Sequence, residues 1–270
     1  MARSAYLLIV AAAAIASPVF GQSPPAKVGR SNEAFEVHYL KNKQAEFAAS
    51  ERAVAARNRG AESTAIYNLL KDKGPLNAAN VVGRSAQEKE QVRDALVRTV
   101  AYFLTSLGLS PDDIRRMERD GLDPLKAGTN VLVGQWSLED ALTISPKAAV
   151  AAVASNQAGS DLADRQVAFT VERSLKGGST GTVTLRVRLP SAVAQVSQGE
   201  RYLLFLSDEL GAFQQAAGRR SDGSPSLVAL PFRLVGDLYE PTDPAQSPTS
   251  RNVAQIDQFV AQHATAFGAR

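Results

Sequence analysis

Residues able to do acid–base, nucleophilic or metal chemistry are few in this sequence. It has no cysteine and only two histidines, His38 and His263, so thiol catalysis and thiolate metal sites are excluded. Neither histidine has the HExxH spacing of a zinc site, and the G-x-S-x-G turn of serine hydrolases is absent. We therefore predict no catalytic residue, no bound metal and no cofactor, with both histidines at surface or partly buried positions.

Acidic residues occur in four local clusters that could supply the carboxyl pair of a hydrolase. Such a pair needs one carboxyl group with a raised pKa in a cleft. Asp112 and Asp113 fit better as the N-terminal charge of a helix. The other three clusters fit solvated turns: Glu139 with Asp140, Asp161 with Asp164, and Asp208 with Glu209. A hydrolase with an unrecognised carboxylate site is nevertheless kept as an alternative function.

Residues 1–21 have the pattern of an export signal. Arg3 precedes an apolar run from Ala5 to Ala16, and Pro18 follows shortly after it. A cationic start, a short apolar segment and small residues are typical of a cleaved leader. The run is shorter than the roughly 20 residues that span a bilayer. Cleavage fits after Ala16 or after Gly21, and we favour the second; an uncleaved anchor is the rival interpretation.

Cleavage after Gly21 would remove one positive charge and leave 29 basic and 27 acidic residues, a net charge of +2. So small an excess does not imply a nucleic acid partner. We expect an exported protein, periplasmic or secreted, without a stable membrane span after cleavage. About 250 residues can bury a substantial core without disulfides. The sequence leaves the oligomeric state open.

Residues 22–34 are predicted to be a flexible leader, and residues 35–121 a helical region. Residues 35–59 favour one helix that ends at Gly60, and a second helix is predicted from Thr64 to Lys73.

The next two helices have the clearest start signals. Ser85-Ala86-Gln87-Glu88 is a capping box, and Ser110-Pro111-Asp112-Asp113 combines a cap with proline in the first turn. The fourth helix should close at Gly121. Behind the capping box, apolar residues keep helical spacing up to Gly108: Val92, Leu96, Val100, Phe103, Leu104 and Leu107.

Beyond Gly121 the pattern predicts strands, and residues 131–240 are predicted to form a small antiparallel OB-like β-barrel. Its first strand is Val131–Val133, with Trp136 filling the junction to the helices. The central hairpin pairs Val167–Val171 with Val183–Leu189 through a loop from Lys176 to Gly181. Four further strands are predicted: Ala148–Ala154, Tyr202–Leu206, Phe213–Ala216 and Phe232–Val235.

A linker over residues 241–252 and a helix over residues 253–267 complete the predicted organisation. The helix should face inward with Ile256, Phe259 and Val260. The fold class expected from the whole sequence is therefore α+β.

Two motifs resemble bacterial exported proteins with a netrin-like module, similar to the tissue inhibitors of metalloproteinases. They are Val167-Ala168-Phe169-Thr170-Val171-Glu172-Arg173-Ser174-Leu175-Lys176-Gly177 and Gly199-Glu200-Arg201-Tyr202-Leu203-Leu204-Phe205-Leu206. The resemblance covers roughly residues 145–240 and implies a five-stranded OB-type barrel with flanking helices. The inhibitors chelate the zinc of a protease through an N-terminal cysteine. This chain has no cysteine, so only the scaffold is implied.

OB-type barrels often bind ligands on the face of strands two and three. The corresponding outward side chains would be Thr170, Glu172, Thr184, Arg186 and Arg188. As a binding site they would form an anion- or protein-binding patch; the alternative is a solvated face of cross-strand pairs.

A hairpin centred near residue 179 would place Glu172 opposite Arg186 and Thr170 opposite Arg188. This register would also keep the odd-numbered apolar residues of both strands together on the buried face. A register shifted by one residue would instead place the apolar residues of one strand on the opposite face.

The function that these observations favour is an exported, non-catalytic binding module that engages another envelope or secreted protein. The alternatives are the hydrolase described above and a purely structural accessory protein.

Overall fold

The computed structural model describes residues 59–73, 85–158, 164–188, 196–209, 225–242 and 249–268. The first elements in these ranges are five helices, α1 to α5: Arg59–Leu70, Ala86–Ser106, Pro111–Arg119, Pro124–Leu132 and Leu138–Ile144. The strands β1 to β4 follow: Lys147–Ala158, Asp164–Lys176, Thr182–Arg188 and Arg201–Ser207. The strands β5 to β8 are Ser226–Leu227, Phe232–Val235, Leu238–Pro241 and Arg251–Asn252, before helices α6, Val253–Gln262, and α7, Ala264–Phe267. The predicted α+β class is confirmed.

Two predicted helix starts are confirmed by their hydrogen bonds. The backbone N–H of Glu88 donates to the hydroxyl of Ser85 (3.2 Å), and the backbone N–H of Ser85 donates to the Glu88 carboxylate (2.8 Å). Ser110 and Asp113 make the same exchange at the start of α3. Each pair satisfies two backbone N–H groups at a helix start, both of which the helix itself leaves without a partner.

The boundary predicted at Gly60 is wrong, because Gly60 lies in the first turn of α1. Glycine costs least near a helix end, where neighbouring residues are not yet fixed on both sides. The hydroxyl of Thr64, predicted as the start of this helix, instead donates to the Gly60 carbonyl at 2.8 Å. Helix α1 therefore begins at Arg59 and ends at Leu70, three residues before the predicted end.

The strand predicted at Val131–Val133 is also wrong, because Val131 and Leu132 are the last residues of α4. Asp123 caps this helix, and its side chain accepts from the backbone N–H of Lys126 at 2.9 Å. Three consecutive apolar residues do not distinguish a strand from a buried helix end, and the cap upstream decides between them.

Glu139 and Asp140 lie in the first turn of α5, not in a solvated turn as predicted. Asp140 accepts from the backbone N–H of Ser137 at 2.9 Å and completes a third capping box. The helical part of the chain thus continues to Ile144, and the first strand begins at Lys147.

The eight strands form one antiparallel sheet in the order β3-β2-β1-β4-β6-β7-β8, with β5 paired to β4. Among the described residues no pairing joins β3 to β8, so the sheet is open and the predicted OB-like β-barrel is not confirmed. The strands predicted at Ala148–Ala154, Tyr202–Leu206 and Phe232–Val235 are confirmed as β1, β4 and β6.

The sheet has a core on each face. The larger core joins one face to all seven helices, and it includes Val150, Phe205 and Phe232. The smaller core lies on the other face and gathers Ala151, Phe169 and other side chains of β1 to β4. Strand β1 contributes to both cores, as its continuous apolar run predicts.

Trp136 fills the junction between the helices and the sheet, as predicted. Its side chain is buried, and its ring lies edge-on to Phe205 (6.3 Å between centroids) and to Phe232 (5.8 Å). Aromatic rings in this arrangement add to the energy of burial itself.

The C-terminal helix lies where it is predicted but is divided into α6 and α7 at His263. Ile256 is buried, and Phe259 and Val260 pack against the larger core while half-buried. The predicted linker is partly wrong, because β7 extends to Pro241 and residues 251–252 form β8.

Several predicted segments lie outside the described residues: the export signal, the leader at residues 22–34, most of the helix predicted at 35–59, His38, Asp161 and the strand Phe213–Ala216. Within the described ranges, no helix is both long enough and apolar enough to cross a membrane.

Candidate functional site

The predicted binding residues lie at the β3 end of the sheet. Thr170, Glu172 and Arg186 are exposed, Thr184 is half-buried, and Arg188 is placed by its backbone at the last position of β3. The structure therefore brings the five residues to one region, on two neighbouring strands.

The predicted register of these strands is wrong, although its parity is right. Arg186 lies opposite Gln166, Arg188 opposite Asp164, and Thr170 opposite Thr182. Apolar residues still face apolar residues, with Phe169 opposite Val183 on the buried side. A slip by an even number of residues keeps every side chain on its face, so the apolar pattern alone permits it.

The register differs from the prediction because β2 continues beyond the residues that pair with β3. Its last residues pair with β1, with Lys176 opposite Ala148. The chain then turns back through glycines and meets β2 again only at Val171, whose N–H donates to the Gly181 carbonyl at 2.8 Å.

Glu172 therefore has a partner other than the predicted Arg186. Its carboxylate accepts from Nε of Arg201 at 2.7 Å, and Arg201 lies on β4, on the far side of β1. The Glu172 and Arg201 side chains are 36% and 50% exposed, so this ion pair contributes little stability. It nevertheless joins the two motifs on which the netrin-like resemblance rests.

Glu200 of the second motif organises the turn before β4. Its carboxylate accepts from the backbone N–H of Ser197 (2.8 Å) and from the Tyr202 hydroxyl (2.7 Å). These hydrogen bonds favour the carboxylate form and lower the pKa of Glu200. Burial and the Glu200 charge raise the pKa of Tyr202. The presence of Glu200 in the second motif is thus explained by its role in forming the turn before β4.

Strand β3 is the last strand at one end of the described sheet, and we call its outer side the β3 edge. The hydrogen bond from Val171 to Gly181 means that the odd-numbered β3 residues pair their backbone groups with β2. The backbone groups of the even-numbered residues Thr182, Thr184 and Arg186 point away from β2. Within the described part of the chain, no strand pairs with Thr182 or Thr184 on this side.

Lys176, at the end of β2, is the most unusual titratable residue that the structure describes. Its side chain is buried, and Nζ donates to the carbonyls of Leu142 (2.9 Å) and Thr143 (2.7 Å) near the C-terminal end of α5. The Phe267 ring covers the amine, with its centroid 4.7 Å from Nζ. Burial lowers the pKa of Lys176 to about 7; the Asp113 charge opposes this shift and the Arg116 charge adds to it.

A cleft of about 490 Å³ lies beside Lys176, between the end of β2 and helices α6 and α7. Val260, Ala264 and Phe267 form an apolar part of its lining. Arg173 also lines it but is engaged by Asp257, whose two carboxylate oxygens accept from its guanidinium at 2.8 and 2.9 Å.

Gly177 allows the chain to turn at the rim of this cleft. Its φ is +70°, and a Cβ at this position would lie 2.4 Å from the Pro146 carbonyl oxygen. Glycine is required both by the positive φ and by the close approach of the backbone.

Sequence reasoning missed Lys176 because the groups that bury it are distant along the chain. Its acceptors, Leu142 and Thr143, are 34 and 33 residues away. The adjacent Leu175 and Gly177 indicated only the end of a strand. The one available signal was a strand pattern running into a lysine before two glycines, which also fits a solvated turn.

His263 is partly buried, as predicted for the histidines. Its Nδ1 lies 2.8 Å from the Asp120 carbonyl oxygen, and its ring contacts Phe259. No group of three or more potential metal ligands occurs among the described residues.

Comparison with models of known families, with curated proteins and with solved structures found no match to this chain.

Proposed function

We propose that this protein is an exported, non-catalytic binding module that engages another envelope or secreted protein through the β3 edge. The observation that carries the proposal is this edge: a strand of seven residues in which the outward backbone groups of Thr182 and Thr184 have no partner strand in the described part of the chain. An extended segment of a partner could add to such an edge as a further strand.

The support behind β3 makes the edge suitable for this role. Phe169 on β2 and Leu185 on β3 are buried in the smaller core, so the strand is held from behind. Thr182 and Arg186 project from the exposed side. Main-chain hydrogen bonds would provide affinity, and the alternate side chains would provide selectivity.

The netrin-like, OB-type scaffold is part of the same proposal. The smaller core supports it, because Leu185 of β3 and Leu227 of β5 pack in one cluster although several strands separate them in the pairing order. A sheet that curls around its own core in this way is what an OB-type architecture requires. The export signal remains the reason for placing the protein outside the cytoplasm.

Asp94 and Glu200 are described carboxyl groups with lowered pKa values, and neither suits the general acid of a hydrolase. Burial by itself would raise the pKa of Asp94, but hydrogen bonds from Arg98 and Tyr67 outweigh it and lower this pKa. Hydrogen bonds also lower the pKa of Glu200. A general acid needs the opposite shift. The hydrolase alternative therefore gains no support from either residue.

A proline at the β3 edge tests the proposal. Thr184→Pro removes one outward N–H that strand addition would use, while the β2 ladder uses only odd-numbered residues of β3. Thr184→Val is the matched control, because it keeps the N–H and favours a strand. The wild type and Thr184→Val should capture the same partner by crosslinking in the exported fraction of the native host, and Thr184→Pro should not.

Backbone hydrogen exchange with the captured partner provides the second measurement. The N–H groups of Thr182 and Thr184 should become protected in the complex. Equal capture by all three proteins, or a complex without protection at these residues, would refute strand addition at β3.

A further inference from the structure

Lys176 lines the cleft beside α6 and α7, and among the described residues its ammonium group has no carboxylate partner. Two of its three N–H groups donate to the carbonyls of Leu142 and Thr143. No ion pair involving Lys176 occurs among the described residues, and the Phe267 ring takes the remaining side. One N–H therefore has no oxygen acceptor.

A buried lysine in this state is uncommon, because buried charges are normally paired. The carbonyl end of α5 stabilises a nearby cation, and so does the face of Phe267. Neither supplies a full negative charge, and the Asp113 carboxylate, which favours the charged form of Lys176 from a distance, forms its ion pair with Arg116. Lys176 accordingly has a lowered pKa, which is the consequence expected for a cation that is incompletely compensated.

The cleft provides space for a compensating group. Its volume of about 490 Å³ lies within the range of small-molecule sites. The small or apolar side chains of Val260, Ala261 and Ala264 form one part of the lining. The Arg173 and Asp257 charges at the sheet end satisfy each other. Among the described residues that line the cleft, Lys176 is therefore the charged residue that has no ion-pair partner.

We infer that this cleft binds a small monocarboxylate with a short alkyl chain. Its carboxylate accepts the third N–H of Lys176 in place of the Phe267 ring, which turns aside. Its alkyl chain lies against Val260, Ala261 and Ala264. The carboxylate supplies the negative charge that the cleft lacks, and the alkyl chain covers its apolar lining, so charge and polarity lead to the same class of ligand.

Titration with sodium hexanoate, followed by NMR of ¹³C-labelled lysine and phenylalanine side chains, tests this site. We expect saturable shifts at Lys176 and Phe267 and a higher pKa of Lys176 in the complex. Hexanol, which has the same chain length without the charge, should bind much more weakly. N-acetylleucine presents the carboxylate of a peptide end and should also bind more weakly, because its amide lies against an apolar wall.

Three variants separate the site from the fold. Lys176→Met keeps length and apolar volume, and it should weaken hexanoate binding about tenfold or more through loss of a charge-assisted hydrogen bond. Ala261→Phe should also abolish binding by filling the cleft, while the charge of Lys176 is kept. Lys147→Met removes a half-exposed lysine paired with Asp208 and should bind hexanoate as the wild type does.

The inference is overturned if the wild type shows no saturable hexanoate shifts. It is equally overturned if Lys176→Met binds hexanoate with wild-type affinity, or if hexanol or N-acetylleucine binds as tightly as hexanoate. Should Lys176→Met fail to fold, Ala261→Phe and the hexanol comparison decide the question.

Discussion

At the residue scale, Lys176 illustrates how a charged side chain can serve as a structural connection. It joins β2 to the end of α5 by two hydrogen bonds and to α7 by contact with Phe267. The ion pair between Glu172 and Arg201 has comparable distances but lies near the surface. Burial makes the difference between them. Water screens the exposed Glu172–Arg201 ion pair, whereas it cannot solvate the buried ammonium group of Lys176.

The lowered pKa of Lys176 predicts a specific dependence of stability on pH. Its pKa falls from an ordinary 10.5 to about 7 in the folded state, so the unfolded chain binds more protons between these values. The free energy of unfolding should therefore rise with pH over this window, by up to about 1.4 kcal/mol per unit of pKa difference. Below pH 7 the cost of the buried charge is fully present.

Urea unfolding of the wild type and of Lys176→Met at pH 7 and pH 9.5 measures this effect. The wild type should gain stability relative to the variant at the higher pH, and Lys147→Met should follow the wild type. A constant difference between the wild type and Lys176→Met would show that the amine titrates normally in the folded protein.

At the element scale, the local signals predicted where elements begin but not how they pair. Ser85 and Ser110 form their capping boxes with residues three positions away, so the sequence contains the complete arrangement. The β2–β3 register depends instead on how far β2 continues along β1. That extent follows from packing of Lys176 and Leu175 against distant helices, which no alternation of apolar residues encodes.

The turn after β2 gives a prediction with an internal control. Gly177→Ala combines a positive φ with a Cβ 2.4 Å from the Pro146 carbonyl oxygen, whereas Gly181→Ala has a φ of +74° and nothing within 4 Å. Gly181→Ala should cost roughly 1–2 kcal/mol of unfolding free energy from backbone strain alone. Gly177→Ala should cost clearly more, because the contact is with backbone.

Chemical denaturation of both variants at one pH provides the comparison. If the two variants lose equal free energy of unfolding, the loop must relax away from the Pro146 carbonyl without cost. The turn would then not hold the end of β2 in place.

At the scale of the whole molecule, the larger core makes the helices and the sheet one cooperative unit. Trp136 lies at the centre of this junction with Phe205 and Phe232. The Ser207 hydroxyl also crosses it and donates to the Leu107 carbonyl at 2.8 Å, across 100 residues of sequence. Unfolding of either part would expose apolar surface of the other, so neither should be stable alone.

Cooperativity can be measured with the single tryptophan of the chain. The fluorescence of Trp136 and the far-ultraviolet circular dichroism should report the same midpoint in urea. Trp136→Ala should lower the free energy of unfolding by about 3–5 kcal/mol, and Trp136→Phe by less. Separate midpoints for the two signals would indicate independent helical and sheet units.

The sequence by itself determined the features that depend on neighbouring residues: the capped helices α2 and α3, the two-sided burial of β1, the strand character of β2 to β4, and the α+β class. Only the tertiary structure decided the open sheet, the register of β3 and the burial of Lys176. In each of these the deciding contact is made by residues far apart in the chain, as between Lys176 and the end of α5. Local pattern limits the conformations available to a segment, whereas long-range packing selects among them, because the free energy of burial depends on which surfaces meet.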